Sequence, residues 1–480
     1  MTSGVPANGG SENAGVNHAA LRQSLDRLKA RADALGMGAE ATAELEALID
    51  RQAVTLADTA AVSREIAAIR ESRTWRIIEQ LRRWRLGWQT ASVALRHPAG
   101  RRRRPTALAA LTGRPLGVNV SGYITAESGL GEAVRSTIRA LERSGIPVAL
   151  DNIASQQRTH DTSFSVFATE LPHPINLVHL NADNMADFAR GKGRRYFRNR
   201  YTIGFWFWEM EEFRRDWMPA FRFVDEVWVG SRFGQACLDK VSPVPVTHIP
   251  VTIPPLSPEP EARGRFGIPE RTTAFLFVFD MSSQYERKNP VAVIRAFREA
   301  GFTRDEAILV LKFTNPAFDR AGVRQLHQEA SGLHVLFLDG FMSRVELSSL
   351  INACDAYVSL HRSEGYGLTI LEAMALGKPV IATNYSANVD FMTPANSHPV
   401  NYSLVTLDKN SGPYPRSFKW AEPDVNHAAR LMRQVAADPA AAAQVGRQAA
   451  LDVHAAFNGE VVAGKVRSRL SQLRSEAAAR

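Results

Sequence analysis

From residue 116 to residue 383, short apolar runs alternate with amphipathic stretches, a succession that predicts strands interleaved with helices. LGVNVS (116–121) reads as a strand, SGLGEAVRSTIRALERSG (128–145) as a loop and helix, and IPVAL (146–150) as a strand. INLVHL (175–180), YTIGFWFW (201–208) and DEVWVG (225–230) continue the series. Five prolines then fall between Pro250 and Pro260, a density that breaks regular structure and marks a linker. A second series follows in AFLFVFD (274–280), AILVLKF (307–313), HVLFLD (334–339), DAYVSL (355–360) and PVIAT (379–383). Helices such as ADPAAAAQVGRQAALDVHAAF close the chain. Alternating strands and helices imply parallel sheets. The expectation is therefore a helical extension over 1–110 and two α/β domains over 111–258 and 259–480, with a ligand cleft at the carboxyl ends of their strands.

The extension has its own pattern. Residues 1–16 are small and polar, so disorder is expected. Leu21, Leu25, Leu28, Ala32 and Leu35 follow at heptad spacing, and Val62, Ile66 and Ile69 mark a second helical stretch; a short coiled coil and a helical hairpin fit equally. In 71–104, Ile77, Leu81, Trp84, Trp88 and Leu95 share one helical face flanked by arginines. The net charge is +9, and this segment, with ten arginines against two acids, carries +8 of it, leaving the rest near neutral. Tryptophan on an apolar face with arginine beside it suits an anionic membrane surface. Packing on a protein partner is the other reading. Nucleic acid is not expected, because no recognisable binding module accompanies the arginines.

Composition narrows the class. Apolar residues make up 45% and charged residues 22%, as in ordinary globular proteins. The two cysteines, Cys237 and Cys354, are far apart and form no metal or disulfide pattern, which points to a reducing compartment. The N-terminus lacks a basic start followed by an apolar run, and no stretch is long enough to span a bilayer. A cytoplasmic protein, with the option of lying on the inner face of the cell membrane, is the expectation.

The chemistry concentrates in RSEGYGLTILEAMALGKPVIAT (362–383). Glu364 lies in a glycine-rich turn, and Glu372, seven intervening residues later, is expected about two turns into the following helix. A helix start offers free N–H groups and a positive dipole end to an anion, and glycine lets backbone approach it. The segment resembles the E-x7-E signature of family 4 (group 1) retaining glycosyltransferases, which use nucleotide sugars on two Rossmann-like domains, the GT-B fold. The resemblance implies that Glu364 lies against the transferred sugar and Glu372 on the ribose hydroxyls. It gives the loop Gly365, Tyr366 and Gly367, with the backbone of Leu368 and Thr369, to the diphosphate. In DMSSQYERKNPVAVIRAF, Lys288 matches a lysine that contacts donor phosphates. Many relatives place an arginine where this chain has Ser282; Arg287 either compensates or is a solvated residue. Lys312 is a weaker cation candidate. Gly129 and Gly131 in SGLGEAVR match the family's first-domain glycine loop, which faces the donor.

The acceptor side is less defined. Trp206, Trp208 and Glu209 end the run GFWFWE, where many relatives carry a histidine; the arrangement resembles a bacterial surface-polysaccharide subgroup. Aromatic faces stack on sugars and a carboxylate binds hydroxyls, which makes Glu209 a candidate acceptor-side residue; core packing accounts for some of the rings, and alternation predicts that one tryptophan points inward. His179, His361 and Arg362 are further candidates, with packing as the competing account. SRTWRIIEQLRRW and KWAEPDVNHAARLMR resemble the same subgroup. No D-x-D pair follows a strand and no His/Cys cluster stands out, so no metal cofactor is expected. G-x-S-x-G and G-x-G-x-x-G motifs are missing, against a hydrolase or dehydrogenase. The expected activity is transfer of a sugar from a nucleoside diphosphate sugar to a glycan or lipid-linked glycan. A catalytically silent sugar-nucleotide-binding scaffold recruited through the N-terminal helices is the alternative.

Overall fold

The computed structural model describes residues 100–155, 160–260 and 263–479. The expected disordered tail and helical hairpin or coiled coil, and most of the 71–104 segment, lie outside the described residues. The first half runs α1 (Gly100–Ala109), β1 (Val118–Gly122), α2 (Gly129–Arg143), β2 (Val148–Asn152), β3 (Ile175–His179), α3 (Met185–Phe197), β4 (Tyr201–Trp206), β5 (Glu226–Val229), α4 (Arg232–Asp239) and β6 (Val246–His248). Its sheet has the order β2-β1-β3-β4-β5-β6, and every pairing is parallel.

The second half runs β7 (Thr273–Asp280), α5 (Tyr285–Lys288), α6 (Pro290–Ala300), β8 (Ala307–Thr314), α7 (Arg320–Glu329), β9 (Val335–Asp339), α8 (Arg344–Ala353), β10 (Ala356–Ser359), α9 (Leu368–Ala375), β11 (Val380–Thr383) and β12 (His398–Val400). These strands form a second parallel sheet, β12-β11-β10-β7-β8-β9. An antiparallel hairpin, β13 (Tyr402–Thr406) and β14 (Lys419–Pro423), follows. The chain ends in α10 (Val425–Ala437), α11 (Pro439–Phe457) and α12 (Gly459–Ala478). In β1, β3, β4 and β5 every residue is buried, because helices cover both faces of a parallel sheet. Among the described residues no helix is long and apolar enough to cross a membrane.

Three features depart from the sequence reading. The short strands β6 and β12 and the hairpin were not anticipated; three-residue edges carry too little alternation to register. KWAEPDVNHAARLMR, whose Glu422-Pro423-Asp424 is expected from sequence to start a helix, is strand β14 to Pro423, then a helix whose N-cap is Asp424, its side chain accepting from the His427 amide. The final helix, expected within 259–480, returns to the first domain. Its Val462, Val466, Leu470 and Leu473 join the core built on β1, β3 and β4. Ala107 and Leu108 of α1 enter that same core, so the end of the expected extension belongs to the first domain.

The linker is packed, not loose. Thr252 N donates to Ser136 Oγ at 2.8 Å, and Ile253 N to the Phe457 carbonyl at 3.1 Å. The hairpin also bridges the halves. Its Leu407, Tyr414 and Trp420 lie in the aromatic cluster of the first domain, with Trp206, Trp208 and Phe213.

Candidate active site

Two helix starts face each other at the carboxyl ends of the two sheets. Leaving β10, the chain turns through Gly367, whose φ of +91° favours glycine, and enters α9. Leaving β1, it turns at Ser128, whose Oγ accepts from Gly131 N at 3.3 Å, and enters α2. A Cβ on Gly131 would lie 2.0 Å from the Ala126 carbonyl oxygen, so only glycine fits. A Cβ on Gly129 would lie 4.0 Å from Leu368 Cδ1. The first turns of α2 and α9 thus lie close to each other, and helix starts suit an anion.

Beside it stands a buried charge cluster. Glu364 is 7% exposed; Lys288 Nζ approaches its Oε1 at 2.5 Å and Arg287 Nη1 its Oε2 at 3.4 Å. Lys288 ends the short α5, which stops at Asn289 (φ +55°), and Asn289 Nδ2 donates to the Leu360 carbonyl at 3.0 Å. The Glu364 amide donates to Ser386 Oγ at 2.8 Å, and Ser386 holds φ at +74°, an uncommon conformation for serine. Burial alone would raise the Glu364 carboxyl, but the Lys288 and Arg287 charges outweigh it and hold it at about 2. Burial lowers the Lys288 ammonium, and Glu364 pulls it back up.

The first domain contributes Glu209. It lies just past β4, and a Cβ on Gly365 would meet its Oε1 at 3.3 Å. Ser363 Oγ donates to the Glu209 carbonyl, and the Tyr414 hydroxyl of the hairpin hydrogen-bonds the Glu209 carboxylate. Glu372 is only one turn into α9, not two, because that helix begins at Leu368. Its Oε1 accepts from Arg344 Nη2 at 2.9 Å. Thr369 Oγ1 accepts from the Tyr357 hydroxyl at 2.7 Å, leaving its backbone at the helix start.

The structure therefore brings together Glu364, Lys288, Glu209, Glu372, Gly365, Gly367, Leu368, Thr369, Gly129 and Gly131. Other expectations are corrected. Tyr366 does not turn its ring to the groove; its hydroxyl donates to the Val251 carbonyl at 2.7 Å, tying the loop to the linker. Arg287 is neither solvated nor free for phosphate. Besides Glu364, it donates to the carbonyls of Ser363 at 2.7 Å and Ser283 at 3.1 Å. It does not replace the cation missing at Ser282, whose amide and hydroxyl both donate to Asp280 Oδ1 at 2.8 Å.

Trp206 and Trp208 are buried among Phe213, Trp217 and Phe221, so neither offers a face to a sugar. His179 stacks on Phe205 at 4.2 Å, and burial lowers it to about 3. His361 is enclosed by Ser359, Tyr385 and Asn388. Arg362 turns to Glu422 with bonds of 2.6 and 3.0 Å. Lys312 donates to the Gly340 and Phe313 carbonyls, and burial lowers it to about 8. Arg344 and Tyr414 were not found from sequence. The capping-box spacing Ser343…Glu346 was the available signal for the first; nothing local marked the second.

Two helix-covered parallel sheets, turned toward a groove that holds paired acids and a lysine, define a GT-B glycosyltransferase fold. Residues 259–400 match the family model of glycosyl transferases group 1. Alpha-monoglucosyldiacylglycerol synthase of Streptococcus pneumoniae (strain ATCC BAA-255 / R6) is 32% identical over 125 residues, 25% of this chain and 26% of that protein. The match thus spans about a quarter of the relative's length. Sucrose-phosphate synthase from Thermosynechococcus elongatus superposes with a TM-score of 0.56 at 17% identity, over 76% of this chain and 100% of the other. Anabaena HepE in complex with UDP-glucose gives 0.53 at 15% identity, over 74% and 100%. At these identities the structural likeness is one of fold.

Proposed function

We propose that this protein is a retaining glycosyltransferase that moves a sugar from a nucleoside diphosphate sugar to a hydroxyl of a glycan or lipid-linked glycan. The observation that carries the reading is the Lys288–Glu364 pair, set beside the facing starts of α2 and α9. In the reaction, a bond forms between the sugar C1 and the acceptor oxygen while the C1–phosphate oxygen bond breaks, and the acceptor hydroxyl's proton passes to the departing diphosphate oxygen. Charge gathers on the departing diphosphate, where Lys288 and the amides of α9 meet it. Glu364, ionised in its clamp, lies against the transferred sugar. Glu372 takes the ribose, and Glu209 with Tyr414 forms the acceptor end. The HepE complex, which contains UDP-glucose, supports a nucleotide-sugar donor.

A thermal-shift panel of UDP-, GDP-, ADP- and dTDP-sugars tests the donor. One class is expected to raise Tm, since a ligand at a hundred times its Kd stabilises by about 2.7 kcal/mol. Lys288→Ala is expected to lose that rise, and a panel without any rise refutes the donor reading.

The place of work is proposed as the inner face of the cell membrane, in assembly of a surface polysaccharide. The Arg- and Trp-rich segment 71–104 supports this, as does a relative named as a synthase of a monoglucosyldiacylglycerol. The full chain is expected to float with liposomes containing anionic lipid, and a chain lacking 71–104 to stay behind. Equal flotation of both removes the membrane role of this segment.

A further inference from the structure

Glu372 is the most enclosed acid of the groove, at 2% exposed. A carboxylate so removed from water tends to take up a proton, and a protonated acid is a poor acceptor for two hydroxyls. Arg344 is the cation paired with it, at 2.9 Å on Oε1, while the buried Oε2 has no hydrogen-bond partner among the described residues. Arg344 is held where it stands. It is the first residue of α8, behind a complete capping box of Ser343 and Glu346. The loop before it is fixed by Lys312 on the Gly340 carbonyl. Glu346 is bound in turn by Arg265 at 2.9 Å.

The remaining charges around the pair oppose it or are committed elsewhere. From the first domain, Glu132 on α2 raises Glu372, and Glu132 and Asp161 act on Arg344. Glu132 is itself engaged by Arg135 at 2.8 Å and by Arg139. Tyr357 gives its hydroxyl to Thr369, and Lys288 and Arg287 are occupied by Glu364. Burial pushes the Glu372 carboxyl up, and Arg344 is what pulls against it.

We infer that Arg344 is a positioning residue of the donor site: it keeps Glu372 a carboxylate and occupies Oε1, so that Oε2 alone is offered to a ribose hydroxyl. The inference rests on the donor reading proposed above. It assigns a role to a residue outside the paired-acid motif, on a helix of its own. Without Arg344, burial acts on Glu372 with no cation against it, so the carboxyl is pushed up further.

Isothermal titration with UDP, GDP, ADP and dTDP, between about pH 6 and pH 9, tests this. The nucleotide bound by the wild-type protein is expected to bind Arg344→Met about tenfold more weakly at the acid end, with affinity returning toward the alkaline end. Arg344→Lys, which restores a cation, stays near wild type. Glu372→Gln, which mimics the protonated acid, matches Arg344→Met at the acid end and does not move with pH. An affinity of Arg344→Met equal to wild type, or a loss that is constant with pH, overturns the inference and leaves the donor reading intact. If Arg344→Met does not fold, a pH-independent loss in Arg344→Lys or a pH-dependent Glu372→Gln overturns it. Failure of the wild-type protein to bind any of the four refutes the donor reading, and the inference with it.

Discussion

Glu364→Gln is expected to cut sugar transfer by about a hundredfold or more while leaving a folded but weakened protein. The amide has the shape of the acid and one oxygen for Lys288 Nζ, now 2.5 Å away, but no charge to set against Lys288 or Arg287. Two buried cations would then share a site without their counterion. Holding the carboxyl at about 2 instead of its ordinary 4.5 corresponds to about 3 kcal/mol of stability. That agrees with the roughly 3–5 kcal/mol typical of breaking a buried ion pair. The pH dependence has a definite sign. Because the folded-state value is depressed, the contribution is complete above the unfolded value near 4.5 and is lost as pH falls toward about 2. Wild-type and variant stabilities, measured in denaturant, should therefore differ at neutral pH and converge in acid. Undiminished turnover in the variant, with the donor identified by thermal shift, would remove Glu364 from the mechanism.

A second large loss of stability is expected at Arg469. Glu226, on the first residue of β5, is fully buried. Arg469 of α12 grips it with Nε at 2.8 Å and Nη2 at 2.6 Å, and Tyr201, Trp228 and Thr247 complete its bonds at 3.0, 2.9 and 2.7 Å. Arg469→Met leaves that carboxylate without a cation in the interior. A loss of roughly 3–5 kcal/mol follows, with faster hydrogen exchange along α12. Adding Glu226→Gln should return a large part of the loss, since the cost comes from the stranded charge more than from the missing bond. A single variant as stable as wild type in denaturant would show that this pair does not anchor the last helix.

What could be read from sequence follows what is local. The strand series, the proline linker and the paired-acid segment each declare themselves within a few residues, and the structure places Glu364, Glu372 and the glycines together. Glu209 could be placed through the GFWFWE run, because its position depends only on the end of one strand. The Arg469–Glu226 pair joins residues 243 positions apart, and the helix that carries Arg469 looked like any other closing helix. Tyr414 enters the site from a hairpin loop that no periodicity marks. One tryptophan was expected to point inward, and that both are buried has a physical reason: alternation fixes which face a strand residue takes, but not whether another element will cover that face. Here the hairpin covers it.

That covering has a mechanical consequence. Trp420 and Tyr414 belong to one half of the molecule yet are seated in the aromatic nest of the other. A motion that simply spread the halves apart at this point would pull both rings into water, at a cost of about 1.5–3 kcal/mol for each large side chain exposed. The hairpin therefore acts as a tie that holds the two halves together along this edge.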